Sequence, residues 1–459
     1  MRSCRLLLAA LAASALASSG SGRRSVQYGD LPESLRPDVA SLGSDAASFA
    51  ASVRRLAERT REREVEGESE HLVYYVLQSS GFTGRPRIEP GESARSFVLE
   101  LPSSEKERFV NGEATIQRTE RLPEAVSARM RDFLAARPRS DERLEYFLSF
   151  LRARATGPRA ELEYLRAAYA RAMRFLYRKE FSAGSGAEVA ALYQERGHST
   201  DTAVEANFAV YNALGALRES DPGFACRRAL IVGPGLDFAP RTDLVDLFPP
   251  QSYQPFAVAD GLIALGISAP GEVALDCVDI SPRVIRFFEE FSRRPRPELT
   301  LFSGAREIGA RRFTEDFRSY FGRLGRSVGR EDPLDPVPAP LAGRLAKRLA
   351  VRRDVARRVR AEILDVVAER YDPAPGYDLA IATNVLTYFS SRELALALVN
   401  IASMLKNGGY LIHNDARPLV LELAARAGFR PMECRTVLIA AGGERALYDN
   451  ACTLRKWAR

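Results

Sequence analysis

Short apolar segments alternate with amphipathic helical segments over the C-terminal half of this 459-residue chain. The segments typical of buried strands are "RRALIVG", "EVALDCVDIS", "YDLAIATNVL" and "GYLIHND", and helical patterns such as "SPRVIRFFEEFSRR" and "PLVLELAARAG" lie between or after them. Because strands that are separated by helices pair in parallel, this alternation predicts an α/β fold with a doubly wound, mostly parallel sheet. The last two strand-like runs, "RPMECRTVLIAA" and "ALYDNACTLRKW", are candidates for an antiparallel hairpin at the sheet edge.

The N-terminal half has a different pattern. Helical periodicity dominates residues 34 to 220, which are interpreted as a mostly helical N-terminal domain preceding an α/β domain at 221–459. Within the first domain, "RSFVLEL" is predicted to be a short strand in a segment rich in Gly, Pro and Ser. Within the second, residues 318–362 are rich in Arg with a Pro-rich centre, which indicates an insertion.

The charge pattern argues against a nucleic-acid partner. The net charge is +7, but the basic residues are interleaved with acidic ones, as in "RRLAERTREREVEGESE". Such a pattern is typical of solvated helix surfaces, and it lacks the clustered basic and aromatic side chains of nucleic-acid readers. The five cysteines include no C-x-x-C pair and the three histidines lie far apart, so no metal site is predicted.

Four of the five cysteines lie in predicted strands or directly before one. Cys226 precedes the first strand of the sheet and Cys277 lies near the end of the second, which places them towards opposite ends of parallel neighbours. Cys434 and Cys452 lie in the two terminal strands, which are able to pair as antiparallel neighbours. A disulfide needs Cα atoms within about 7 Å, so only Cys434 and Cys452 are predicted to be able to bridge.

Residues 1–22 have the layout of a secretory signal peptide. "MRSCRLLLAALAASALASSGSG" has a basic start, an apolar run too short to span a membrane comfortably, and an Ala-Leu-Ala motif before Ser18. The alternative is an Ala-rich leader without a targeting role, or a start codon assigned too early. No stable membrane span is expected from this run, and the localisation stays open between export and the cytoplasm.

Three features lie at the ends of predicted strands, where open α/β sheets bind ligands. Gly233-Pro234-Gly235 follows "ALIV", and glycines there allow a positive φ and a close approach of a ligand. Asp279 closes "VALDCVD", and its carboxylate is able to accept both hydroxyls of a ribose. Asn384 ends the strand of "ATNVLTYF". Each feature also has a purely structural interpretation: the glycines form a tight turn, Asp279 caps the following helix, and Asn384 only ends its strand.

The stretch "YDLAIATNVLTYFSSRELALALVNIASMLKNGGYLIHND" at 377–415 resembles the fourth and fifth strands of class I S-adenosylmethionine-dependent methyltransferases. It is particularly similar to the chemotaxis-receptor methyltransferases, through its Asn-Val-Leu-x-Tyr-Phe run and the following Gly-Gly turn. The resemblance covers residues 225 to 459, weakly over the glycine loop and well over 377–415. It implies S-adenosylmethionine as the cofactor and methyl transfer as the reaction, with an acceptor that the sequence does not identify.

The same resemblance implies roles for individual residues. Gly233 and Gly235 would face the methionine part of the cofactor, Asp279 the ribose and Asp365 the adenine. Asn384 would lie near the sulfonium.

On the catalytic side, Tyr388 would lie at the substrate side of the pocket, next to Asn384. An acceptor that is a hydroxyl or an amine needs a general base, whereas a carboxylate or a thiolate does not. His413 and Asp415, at the end of the next predicted strand, are the candidates for that role. Each is more often a structural hydrogen-bonding residue.

The sequence also departs from the pattern of class I enzymes. Ile231 stands where these enzymes often carry an acidic residue, and Asp237 replaces the third glycine of the G-x-G-x-G loop. Gly235 and Asp279 are 44 residues apart, which is about double a minimal passage from loop through helix to strand. The altered loop leaves a second interpretation open, a catalytically silent methyltransferase-like fold that acts as an exported binding or scaffold module.

Overall fold

The computed structural model describes residues 22–113, 122–137, 141–237, 239–372, 374, 376–443 and 445–457. The predicted signal peptide at 1–22 lies outside the described residues except for Gly22. No helix within these ranges combines the length with the apolar composition that a bilayer-spanning segment needs. In the same ranges, no group of three or more His, Cys, Asp or Glu side chains is arranged to hold a metal ion.

Fifteen strands are formed by the described residues. They are β1 Gly22–Ser25, β2 Asp201–Thr202, β3 Arg228–Val232, β4 Leu236–Asp237, β5 Ala274–Asp279, β6 Glu298–Phe302, β7 Arg312–Phe313, β8 Gly329–Asp332, β9 Ala346–Val351, β10 Val359–Ile363, β11 Glu369–Asp372, β12 Tyr377–Ala382, β13 Leu405–His413, β14 Phe429–Ala441 and β15 Leu447–Lys456.

The central sheet has eight strands in the order β10-β5-β3-β12-β13-β15-β14-β7. The five strands from β10 to β13 are parallel, as the alternation of strands and helices predicts. β15 runs antiparallel between β13 and β14, so the predicted terminal hairpin is confirmed. The start of β15 therefore lies at the edge where the parallel strands end.

The α-helices of the described chain are α1 Ala46–Gln78, α2 Pro90–Leu99, α3 Ser103–Val110, α4 Glu124–Ala135, α5 Glu142–Arg152, α6 Pro158–Tyr177, α7 Gly186–Glu195, α8 Val204–Ser220, α9 Gln254–Ala264, α10 Pro282–Arg293, α11 Glu315–Arg323, α12 Arg353–Ala356, α13 Ser391–Met404 and α14 Pro418–Ala427. Local signals fix several of their ends. The Asp45 carboxylate accepts the Ala47 N–H at 2.9 Å at the start of α1, and Ser390 with Glu393 forms a capping box at the start of α13.

Helices cover both faces of the sheet. Along β3, Ala229 and Ile231 face the apolar core formed with α8, α9, α10 and α11, whereas Leu230 and Val232 face the core formed with α13 and α14. This alternation is the period of two of a strand that is buried on both sides. The doubly wound architecture is therefore confirmed, and helices α1 to α7 form a third apolar cluster beside it.

The two halves of the chain are interlocked in the structure. Helix α8, at the end of the predicted N-terminal domain, packs in the core of the sheet. Strand β1 pairs with β11, and Arg426 of α14 forms an ion pair with Asp38 at 2.5 Å. Within the predicted insertion at 318–362, β10 is a strand of the central sheet, and β8 and β9 pair with β6 in a separate antiparallel sheet. The ends of that segment thus belong to the fold itself.

The predicted strand at "RSFVLEL" is wrong, because this stretch lies mostly in helix α2. Pro90 occupies the first turn of α2, and the Glu89 carboxylate accepts the Glu92 N–H at 2.6 Å as an N-cap. Ala94, Phe97 and Val98 are buried at helical spacing. The Pro at the start and the cap, rather than the β-branched and aromatic residues, decide the local structure.

The cysteines are arranged as predicted. Cys434 and Cys452 lie directly opposite each other on β14 and β15 and form a disulfide, with Cα atoms 4.0 Å apart. Cys226 and Cys277 are free and buried.

Candidate functional site

All of the predicted cofactor-binding residues border one cavity at the carboxyl edge of the parallel strands. The cavity has a volume of about 80 Å³, and Gly233, Gly235, Asp279, Asp365 and Asn384 line it together with Tyr388. The parallel register explains this meeting, because β3, β5, β10 and β12 all end at this edge. The Gly233 N–H donates to the Val278 carbonyl at 2.8 Å, which ties the glycine loop to the end of β5.

In the glycine loop, other atoms of the protein occupy the space that a side chain would fill. Gly233 and Gly235 have φ angles of 63° and 65°, which favour glycine. A Cβ on Gly233 would lie 2.5 Å from a methyl group of Val385, and a Cβ on Gly235 would clash with the Thr200 carbonyl oxygen. The Leu236 N–H donates to that carbonyl at 2.6 Å. Part of the space expected for a cofactor is therefore filled by residues 199–202 and by Val385.

Asp279 lies at the end of β5 on this edge and is 7% exposed. Its carboxylate accepts the Ser281 N–H at 2.8 Å, and the Gly235 N–H points to its second oxygen at a longer 3.4 Å. No positively charged partner of Asp279 is present among the described residues, and burial raises the pKa of Asp279 to about 6. The carboxylate is thus poised to gain from hydrogen-bond donors or a positive charge on a ligand.

Asp365 follows β10 and faces the same cavity. One oxygen accepts the Val367 N–H at 2.9 Å, whereas the other, Oδ2, is buried without a hydrogen bond of good geometry, although the Thr60 hydroxyl lies near the carboxylate. Burial raises the pKa of this carboxyl to about 6. A buried acceptor of this kind is rare unless a water or a ligand satisfies it.

Sequence reasoning missed two further carboxylates in the cavity, Glu64 and Asp201, of which Asp201 is paired with Arg241 at 3.0 Å. Glu64 and Thr60, one turn apart on helix α1, line the cavity from the side opposite the sheet. Burial raises the pKa of Glu64 to about 7; the nearby carboxylates of Glu68 and Asp279 add to the rise, and Arg154 opposes it. No local signal distinguishes Glu64, because α1 carries acidic residues on every side in "EREVEGESE".

Asn384 has a φ angle of 58°, which makes it the one non-glycine residue with positive φ in the described chain. Asn414 holds it there: the Asn384 N–H donates to the Asn414 side-chain oxygen at 2.7 Å, and Asn414 Nδ2 donates back to Asn384 Oδ1 at 2.8 Å. Left-handed backbone at a non-glycine residue costs about 1–3 kcal/mol and is concentrated at functional sites.

A second, larger space adjoins the cavity at Asn384 and Tyr388. This cleft has a volume of about 1070 Å³ and lies between helix α7, the end of β13 and the start of α14. Tyr388 borders both spaces, and its ring packs edge-to-face on Tyr193 and His198 at centroid distances of 5.6 Å and 5.3 Å. The structure therefore places Asn384 and Tyr388 where the narrow cavity meets a cleft that is large enough for a small ligand.

His413 does not join this group. It is fully buried at the end of β13 and lines neither the cavity nor the cleft. Burial lowers the pKa of His413 to about 4, so its ring is neutral at pH 7. Its neighbour Asp415 does line the cleft, but Arg417 neutralises it at 2.7 Å.

Asp237, the departure from the G-x-G-x-G pattern, has a structural partner. Its carboxylate forms a buried ion pair with Arg143 of α5 at 2.8 Å, and the two side chains are 1% and 3% exposed. The same guanidinium donates to the carbonyls of Val245 and Phe248. The acidic residue in the loop therefore joins the helical half of the chain to the sheet.

Sequence reasoning also missed Asp449, which lines the cleft near Asn414. The predicted site residues lie at the ends of strands, whereas Asp449 lies near the start of β15. Because β15 is antiparallel to β13, its start reaches the edge at which the parallel strands end. The predicted terminal hairpin implied that one strand of the sheet is reversed. The start of that strand could therefore have been expected at the same edge.

Comparisons with known proteins give the following. No protein family model matches the sequence, and no curated protein matches it. Among solved structures, the chain is similar to the N-methyltransferase NodS from Bradyrhizobium japonicum, with 14% identity and a TM-score of 0.29 over 54% of this chain and 87% of that one.

Two further solved structures have similar values. A TehB-like SAM-dependent methyltransferase from Corynebacterium glutamicum has 11% identity and a TM-score of 0.26, over 53% of this chain and 87% of its own. The [4+2]-cyclase SpnF has 13% identity and a TM-score of 0.28, over 54% and 81%. The neighbours of the fold are thus mainly class I methyltransferases.

Proposed function

We propose that this protein binds S-adenosylmethionine in the cavity at the carboxyl edge and catalyses transfer of its methyl group to an acceptor in the adjoining cleft. The observation that carries the proposal is the cluster of Glu64, Asp279 and Asp365. Together with Asp201, which is paired with Arg241, these carboxylates line one narrow space. None of the three has an ion pair among the described residues, and burial raises the pKa of each, although Arg154 opposes the rise at Glu64. A ligand with a net positive charge, hydroxyl groups and an amino group complements such a cluster.

The chemistry of the residues fits the cofactor. When bound, S-adenosylmethionine supplies a methyl group on a positively charged sulfur, which is already a good leaving group. In this proposal Asp279 accepts the ribose hydroxyls, and Asp365 Oδ2 accepts an amino group of the adenine. Asn384, at the junction with the cleft, orients the reactive end, so that the protein contributes mainly position and exclusion of water.

The volume of the cavity sets a requirement on this binding. At about 80 Å³ it is smaller than the roughly 300–1,000 Å³ typical of sites for small organic ligands. Binding of a nucleoside therefore requires residues 199–202 or helix α1 to move outward. Such a movement has to break the pairing of β2 with β4, the bond from the Leu236 N–H to the Thr200 carbonyl at 2.6 Å and the bond from Arg63 of α1 to the Arg196 carbonyl at 3.0 Å.

The filled glycine loop favours a second candidate function. Val385 and Thr200 occupy the space beside Gly233 and Gly235 that a cofactor would need. In this alternative the fold is catalytically silent and acts as a binding or scaffold module, with the loop serving to pack the two halves of the chain.

Calorimetry with the full chain separates the two candidates. The wild-type protein is expected to bind S-adenosylmethionine and S-adenosylhomocysteine, and Asp279→Asn is expected to weaken binding by about 1.5–3 kcal/mol because a charged hydrogen-bond acceptor is lost. Asp354→Asn is the matched control, since Asp354 is 56% exposed and lies outside both the cavity and the cleft.

Two results contradict the proposal. One is the absence of heat and of any shift in melting temperature with wild-type protein at millimolar cofactor. The other is equal binding by wild type and Asp279→Asn. The first result favours the silent module, and the second removes Asp279 from the site. The resemblance to the chemotaxis-receptor enzymes in particular stays a prediction, and an acceptor from that class is one outcome of the search for a substrate.

A further inference from the structure

The cleft beside the cavity has an apolar wall and a polar floor. Ala187, Ala190 and Ala191 of helix α7 form part of the wall, and Leu419 of α14 lies opposite. The floor carries Asn384 and Asn414 at the junction with the cavity. A ligand with an apolar body and one polar group directed at Asn384 suits this shape.

Almost every charged side chain that lines the cleft is neutralised by a neighbour. Arg196 pairs with Glu70, Arg241 pairs with Asp201 at 3.0 Å, and Arg417 pairs with Asp415 at 2.7 Å. Asp449 is the exception among the lining residues of the described chain, since it has no ion pair. The cleft therefore carries one uncompensated negative charge.

That charge lies close to the junction with the cavity. Asp449 Oδ1 accepts the Asn450 N–H at 2.8 Å, and Asn414 Nδ2 points to it at 3.5 Å. The same Asn414 nitrogen donates to Asn384 Oδ1 at 2.8 Å. Asn414 thus connects Asp449 to the residue proposed to orient the reactive end of the cofactor. Burial, with the Glu205 carboxylate adding to it, raises the pKa of Asp449 to about 6, which suits a group that takes up and releases protons.

We infer that the cleft binds an amine as the methyl acceptor, and that Asp449 holds its ammonium group and then takes its proton. The inference rests on the proposed function. In the transfer, the lone pair of the neutral amine nitrogen forms a bond to the methyl carbon. The carbon–sulfur bond breaks, and its electron pair stays on sulfur as a neutral thioether. Because an ammonium group has no lone pair, it first gives one proton to the Asp449 carboxylate, which passes the proton to water. After the transfer, the methylated nitrogen carries the positive charge that the sulfur has lost.

Other acceptor classes fit the cleft less well. A carboxylate acceptor needs no base and is repelled by the uncompensated charge of Asp449. A neutral alcohol is able to donate a hydrogen bond to Asp449 but gains nothing from the charge. Of the three, an ammonium group gains both a charge interaction and a hydrogen bond.

Binding of three small probes of equal length tests the inference. Hexylamine, hexanol and hexanoate are titrated into the full chain by calorimetry, with and without saturating S-adenosylhomocysteine. Wild-type protein is expected to bind hexylamine at least about tenfold more tightly than the other two. Asp449→Asn is expected to lose about tenfold in hexylamine affinity, whereas Asp449→Glu retains most of it. Asp354→Asn controls for the loss of one surface charge, and melting temperatures check that each variant folds.

The outcomes separate this inference from the proposed function. Hexanoate or hexanol binding as tightly as hexylamine, no hexylamine binding at millimolar concentration, or unchanged affinity in Asp449→Asn overturns the amine assignment. Failure of wild type to bind S-adenosylhomocysteine overturns the proposed function, and the titrations without cofactor still report on the amine. Release of S-adenosylhomocysteine and a methylated hexylamine by mass spectrometry, both reduced in Asp449→Asn with cofactor affinity retained, supports both proposals together.

Discussion

The narrow cavity and the wide cleft share a wall at Asn384 and Tyr388, yet their charged groups are organised differently. In the cavity, Glu64, Asp279 and Asp365 lie together without an ion pair among the described residues, and burial raises the pKa of all three. In the cleft, three ion pairs neutralise the other charged side chains, and only the Asp449 carboxylate among the described lining residues has no ion pair. An apolar protein interior penalises unpaired charge, so a space that keeps three such carboxylates is suited to a ligand that brings positive charge and hydrogen-bond donors.

The cavity and the cleft also differ in how deeply their supports are buried. The glycine loop is anchored by the Arg143–Asp237 pair, with side chains at most 3% exposed, whereas the pairs at the cleft reach 25% exposure at Arg241. A buried pair that loses one partner leaves a charge without compensation. The rigidity of the cavity therefore depends on contacts with the helical half of the chain.

Breaking the Arg143–Asp237 pair is expected to have the largest effect. Arg143→Met should lower the free energy of unfolding by about 3–5 kcal/mol, because Asp237 stays buried and unpaired. Chemical denaturation measures this change. Arg159→Met is the control, since its pair with Glu163 is 93% and 58% exposed and should contribute about 0–1 kcal/mol. Equal effects of the two substitutions would show that the loop does not depend on this pair.

Filling the glycine loop comes next. Gly235→Ala should lower the free energy of unfolding by about 2–4 kcal/mol, because a strained φ is combined with a clash against the Thr200 carbonyl. Gly266 has a φ of 66° and no atom near its missing side chain, so Gly266→Ala reports the cost of φ alone, about 1–2 kcal/mol. If both variants lose the same stability, the contact with Thr200 does not constrain the loop.

A smaller effect, on the affinity for the cofactor, is expected from a substitution in helix α1. Glu64→Gln should weaken binding of S-adenosylmethionine about tenfold, because one of the three carboxylates that face the positive ligand is lost. Glu62→Gln lies on the exposed side of the same helix and should leave affinity unchanged. Calorimetry on both variants decides whether the N-terminal helix takes part in the site, and equal affinities of both with wild type would exclude Glu64 from it.

The smallest expected effect is on pH dependence. The pKa values of Asp279 and Asp365, about 6, and of Glu64, about 7, lie above the values expected in the unfolded chain. The folded protein without ligand therefore holds extra protons, and these groups contribute less stability as the pH rises from about 4 to 7. A cationic ligand favours the ionised carboxylates, so its affinity should rise over about pH 5–7 and level off above.

Proton release provides the measurement for this last prediction. Calorimetry near pH 6 in buffers of different ionisation enthalpy should show protons leaving the protein as the cofactor binds, and fewer should leave in Glu64→Gln. Affinity that is flat with pH, without proton release, would mean that the three carboxylates do not contact the ligand.

Some elements of the site follow from local sequence because of a geometric rule. Asp279 and Asn384 each end an apolar run, and strands that alternate with helices bring their ends to one edge of a parallel sheet. Cys434 and Cys452 are predicted to be able to bridge because they fall in two strands that can pair as antiparallel neighbours, and the structure shows them opposite each other. By contrast, the strand predicted at "RSFVLEL" is a helix, because Pro90 and the Glu89 cap outweigh the residue preferences of the stretch.

The sequence by itself determined the doubly wound sheet, the reversed terminal strand, the disulfide and the strand-end residues, because each depends on periodicity or spacing within a short segment. Only the tertiary structure decided that Glu64 faces Asp279, that Asp449 meets Asn414, that Thr200 fills the space beside Gly235 and that His413 is buried away from the site. Glu64 is 215 positions from Asp279, Asp449 is 35 from Asn414, Thr200 is 35 from Gly235, and His413 is 29 from Asn384. At these separations no local sequence pattern connects the residues of each pair. Their meeting depends on how helix α1 crosses the sheet edge and on the direction of β15, which packing between distant segments sets.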